Sequence, residues 1–132
     1  MKDTLLKNMP GLLPHLIAGC TIFIIGKYYY RKYFYGDNKI KKLLFLAVVC
    51  LSFSFFPDFF LIIYYTTYIL PKCQLIIYHN FIHIVFIPIA IVGLLVLYIL
   101  NPKSKPIWIM GFWSIIFHLL MDYFIHTGGF FI

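Results

Sequence analysis

The chain has 132 residues and a formal charge of +7; 63% of it is hydrophobic and only 11% charged. A soluble domain is nearer half apolar, and a chain this short cannot bury the excess in a core of its own, so lipid has to cover it. The cations fall between apolar runs instead of along a folded polar face, which excludes a nucleic-acid-binding surface and points to loops facing anionic lipid headgroups.

Four apolar segments follow in chain order, at about 11–30, 43–70, 75–100 and 107–131. Each reaches the roughly 20 residues that a spanning helix needs. Runs of this length lack the period-two alternation of strands, and in lipid only helices satisfy their own backbone. The segments predict an all-α integral membrane bundle of four transmembrane helices, forming a single domain over 1–132.

The first segment carries Pro14 and His15 near its start. Its Ile17-Ala18-Gly19-Cys20 stretch resembles a lipoprotein signal, but Pro10, Pro14 and His15 interrupt the would-be apolar region. The chain also stays apolar after Cys20, so the segment reads as a helix. Cys20, Cys50 and Cys73 share no disulfide or metal spacing and read as small buried hydrophobes. The turn GDNKIKK at 36–42 separates the first segment from the second, which contains Phe56-Pro57-Asp58. Pro57 marks a kink or a helix start. Pro71 and Lys72 break the chain before the third segment, which holds His79, His83 and Pro88. NPKSKP at 101–106 precedes the fourth, with His118, Asp122 and His126.

Lys27, Arg31, Lys32, Lys39, Lys41, Lys42, Lys103 and Lys105 gather at one side of such a bundle, against Lys2, Lys7 and Lys72 at the other. The positive-inside rule then places both termini outside the cytoplasm in a multi-pass protein.

There is no Glu, and Asp58 and Asp122 are the two carboxylates in apolar sequence. Ionisable groups in hydrocarbon are costly and mark function. Counted from the outer helix ends at 1.5 Å per residue, His15, Asp58, His79, His83, His118 and Asp122 share a band on the order of 6–12 Å below one membrane face. Each has a plainer reading. A lone histidine such as His15 more often bonds a neighbouring helix, Asp58 can cap a helix restarting after Pro57, and His126, before Thr127-Gly128-Gly129, suits the wet interface. The pairs are harder to dismiss: His79/His83 and His118/Asp122 stand four apart, on one helical face each. Imidazole and carboxylate without thiolate suit zinc first, with manganese or iron as alternatives. Six ligand-type residues exceed the needs of one four-coordinate ion, so one or two ions fit the set. A metal pair is an arrangement for phosphoester hydrolysis.

The segment HLLMDYFIHTGG at 118–129, with FPD at 56–58 and HNFIH at 79–83, resembles the small membrane-bound metal-dependent hydrolases of the LexA-regulated YdjM-like group. Their pattern has an early His, a PD motif, a paired-His motif and a late HxxxD with a downstream Gly. The resemblance covers nearly the whole chain. The order His15, Asp58, His79 or His83, then His118 and Asp122 is also similar to the ligand order of zinc-dependent phospholipase C and S1/P1-type nucleases. That resemblance implies Asp122 as a bridge between ions and Asp58 as ligand or base. It also implies His118 with His79 or His83 on one ion and His15 on the other. The paired-His motif departs from the family in its spacing and in lacking an Arg, and Phe60 stands where a second acid often follows PD.

Together these readings imply an intramembrane hydrolase acting on a phospholipid or other amphiphilic ester by metal-activated water. Asp58 and Asp122 are the expected catalytic residues. The rival readings are a metal or proton transporter, against which no polar relay continues through IPIAIVGLLVLYIL, a haem protein, which Asp58 and Asp122 disfavour, and a non-catalytic envelope or lysis protein.

Overall fold

The computed structural model describes residues 12–58 and 72–126. Five α-helices cover most of them: α1 (Leu12–Tyr29), α2 (Arg31–Phe34), α3 (Lys39–Phe55), α4 (Lys72–Leu100) and α5 (Lys105–His126). Short 3₁₀ turns at Phe56–Asp58 and Pro102–Ser104 follow α3 and precede α5, and no strand occurs among the described residues. The predicted segment 43–70 begins earlier, at Lys39, because Ile40 and the lysine stems continue its helix N-terminally. Its α-helical bonding stops at Phe55 and tightens into the 3₁₀ turn at Pro57, which has no amide proton to continue the ladder. The backbone turns from α2 into α3 through two left-handed residues, Gly36 (φ 95°) and Asn38 (φ 63°).

Among the described residues, three helical stretches are long and apolar enough to cross a membrane: Lys39–Asp58, Asn80–Leu100 and Pro102–Phe124. Their outward surface agrees. On α4, Phe81, Ile84, Ile89, Val92 and Leu95 are all more than half exposed, a run of apolar surface that water does not tolerate on a monomer. These are the marks of a membrane protein.

The core lies where α1, α3 and α5 meet, around Ile22, Leu46, Cys50, Ile107 and Ile115. Helix α5 is the hub, packing on α1, α3 and α4. Small residues let the backbones approach closely. A Cβ at Gly111 would stand 2.9 Å from Val49 Cγ1, and one at Gly19 3.0 Å from Ser54 Oγ. Helix α4 is attached differently, mainly to α5 and to the 3₁₀ turn at Phe56–Asp58.

Helices α1 and α4 run from the histidine end toward the lysine end, and α3 and α5 run back. The antiparallel arrangement brings His15, Asp58, His83, His118 and Asp122 to one end. It leaves Lys27, Lys39 and Lys105 at the other, about 20 Å away at 1.5 Å per residue.

Candidate metal centre

His118 sits at the middle of the site, with no side-chain exposure. Its ring lies between those of His15 and His83, with centroids 4.5 and 5.2 Å away. Its Nδ1 is 3.0 Å from the backbone oxygen of Ser54. A carbonyl can only accept, so Nδ1 carries the proton and donates it, and a neutral His118 then presents the bare lone pair of Nε2. An imidazole held by a carbonyl at one nitrogen so that the other is free is the usual outer-shell arrangement of a metal-binding histidine.

The Ser54 carbonyl is available for a local reason. In a continuing α-helix it would accept the amide of residue 58. The 3₁₀ turn at Phe56–Asp58 bonds i to i+3, which directs that amide to residue 55.

Three atoms converge beside His118. Asp122 Oδ2 is 2.7 Å from His83 Nε2 and 3.1 Å from His118 Nε2, and the two nitrogens are 3.1 Å apart. The lone pair of His118 then faces the lone pairs of Asp122, so a positive charge belongs between them. A tetrahedral zinc with bonds of about 2.0–2.1 Å sets its ligand atoms about 3.3 Å apart, close to the edges of this triangle.

On the other side of Asp122, His15 Nε2 is 3.6 Å from Asp122 Oδ1 and 2.8 Å from Asp58 Oδ2. The short approach to Asp58 lacks the alignment of an N–H···O bond. Both ring nitrogens of His15 and Oδ1 of Asp122 are buried with no hydrogen bond among the described residues. Each such atom costs about 1–3 kcal/mol when left unmet, and none of these three is exposed to solvent. A shared ion meets that need where a proton in the wrong direction does not. His15, Asp58, His118 and Asp122 each offer one ligand atom, all within 4.8 Å of one another, and this buried group can hold a metal ion.

Burial grades across the centre. The side chains of His15, Asp58 and His118 are 1, 4 and 0% exposed, and those of Asp122 and His83 are 13 and 17% exposed. The accessible edge therefore lies on the α4–α5 side.

The structure thus brings five of the six candidate residues together. The sixth, His79, stands in α4 one turn before His83, and its side chain lies outside the described ones, as does that of His126. Cys50 is buried and Cys20 exposed, neither paired, and both stand apart from the centre; Cys73 lies outside the described side chains. One participant escaped the residue pattern, the Ser54 carbonyl, although Pro57 three residues later was its signal.

Comparison with known proteins finds no matching family model, no curated relative and no similar solved structure.

Proposed function

We propose that the chain is a multi-pass membrane protein with four spanning helices and both termini outside the cytoplasm. In this reading the buried centre is that of a zinc-dependent hydrolase acting on a phospholipid or another amphiphilic ester. The observation that carries the reading is the double use of Asp122. One oxygen meets His83 and His118 while the other faces His15, which Asp58 approaches in turn, the layout of a carboxylate shared by two ligand groups. His83, His118 and Asp122 would hold one ion, and His15, Asp58 and Asp122 a second. Zinc is favoured over manganese or iron because three imidazoles and two carboxylates with no thiolate match its ligand habits.

When bound, such an ion supplies a Lewis acid for a phosphoryl or acyl oxygen and a water acidified toward neutrality. The protein residues would do the rest. Asp58 stands at the end of α3 beside His15 and would take up the proton of the attacking water. His83 and Asp122 line the accessible edge, where the scissile group would enter, and the apolar outer faces of α4 and α5 would seat lipid tails. The motif resemblance to membrane-bound hydrolases and to phospholipase C supports the same chemistry. The depth of the site, close to one end of the candidate spans, favours an amphiphile over a soluble substrate.

The test is metal content and lipid hydrolysis by the detergent-purified full chain. The wild type should retain zinc and release product from phospholipid micelles. Asp122→Ala should lose most of the zinc, and Asp58→Asn should keep at least half of it while activity falls by 10²-fold or more. Zinc flux in proteoliposomes with no hydrolysis would replace the enzyme with a transporter. Sidedness is checked by Asp37→Cys, in a chain without its native cysteines, which should react with an impermeant maleimide only from the cytoplasmic face.

A further inference from the structure

The opposite end of the molecule carries a second polar site. Lys41 and Lys42 in the first turn of α3 and Lys103 and Ser104 in the 3₁₀ turn before α5 surround a cavity of about 490 Å³, with Phe45 and Ile107 as its apolar floor. Lys42 is fixed in place: its ammonium donates to the Tyr33 carbonyl at 3.1 Å and lies 4.8 Å from the centre of the Tyr33 ring. Among the described residues none of the three lysines is paired with a carboxylate. Neither α3 nor α5 has an acid in its first turn. Three cations drawn around one cavity repel one another unless an anion joins them.

The surface below the cavity indicates what that anion is attached to. Lys41, Phe45 and Val48 follow one another at helical spacing on one face of α3, and Phe45 and Val48 are 43 and 52% exposed. The cavity lies at the starts of two stretches able to span a membrane, Lys39–Asp58 and Pro102–Phe124, which is the level of lipid headgroups. Cations above and an unbroken apolar strip beneath complement an amphiphile with a negative head.

We propose that Lys41, Lys42, Lys103 and Ser104 form a binding site for the headgroup of an anionic phospholipid, with one acyl chain lying along Phe45 and Val48. This inference rests on the membrane-spanning reading of α3 and α5 and is independent of any hydrolase activity.

The experiment is native mass spectrometry of the full chain in neutral detergent with equimolar phosphatidylglycerol and phosphatidylcholine. The wild type should retain phosphatidylglycerol preferentially. Lys41→Gln/Lys42→Gln/Lys103→Gln should lower that preference about tenfold or more, since each cation near a membrane surface adds to the attraction for an anionic head. Lys27→Gln/Arg31→Gln/Lys39→Gln removes the same charge from a neighbouring cavity and should change the preference less than twofold. Replacing the three lysines by Arg keeps the charge and should keep the preference, which separates recognition from a failure to fold. Equal losses in the two Gln triples, or no preference in the wild type, would overturn the site. Inorganic phosphate should leave the unfolding temperature unchanged where short-chain phosphatidylglycerol raises it. Equal stabilisation by phosphate, or preferential capture of an oligonucleotide, would overturn the lipid assignment.

Discussion

Pro57 removes one amide from the end of α3, and the 3₁₀ turn around it frees the Ser54 carbonyl for His118. Pro57→Ala would let the α-helix continue, so that the amide of residue 58 competes for that carbonyl. His118 would then lose the partner that fixes its tautomer, and metal affinity should fall about 10- to 100-fold, the usual cost of an outer-shell partner. Competition with a fluorescent chelator measures this, with helical content by circular dichroism unchanged. At this scale the sequence was partly legible. His118 and Asp122 stand one turn apart on one helix, so their meeting follows from spacing alone. That Asp122 faces a different partner with each oxygen depends on the rotation of α1 and α4 about their own axes, which spacing within one helix does not set.

Helix–helix distances are governed by single hydrogens in place of side chains. At Gly111 the neighbours Val49, Leu94 and Phe53 come from both α3 and α4, so the hub helix is gripped at one point from two sides. Gly111→Val should therefore destabilise the bundle by about 1–3 kcal/mol through overpacking, and Val49→Ala should recover part of the loss. Unfolding in mixed micelles, followed by circular dichroism, measures both. The helices themselves were readable from apolar length and from the turn residues at 36–42 and 101–106. Within the second, Pro57 marked the change from α-helical to 3₁₀ bonding at Phe56–Asp58, and the remainder of the predicted segment, to 70, lies outside the described residues. Packing partners were also hidden: with apolar residues on every face, α4 carries no stripe to say which side meets α5.

Across the whole molecule, charge and chemistry are sorted to opposite ends. Lysines crowd one end, and histidines with the two carboxylates of the candidate spans gather at the other, about 20 Å away. The sequence announced this sorting through depth, since each helix placed its ionisable residues at a similar distance from the same membrane face. Depth defines a layer but not a point within it. The closure of the layer into a centre needed the antiparallel packing of α1, α3 and α5 around the buried core.

Helix α4 rests mainly on α5 and the 3₁₀ turn, yet it supplies His83 to the centre. An ion held jointly by His83 and by His118 and Asp122 of α5 would act as a clasp, fastening the least embraced helix to the hub of the bundle. Metal binding then contributes to the tertiary structure as well as to chemistry, by an amount that grows with the ratio of free metal to its dissociation constant. Chelation should raise amide exchange in the first half of α4 before it affects α3 or α5, and His83→Ala should show the same pattern without a chelator. Uniform exchange across all helices after chelation would mean that α4 is held by packing alone.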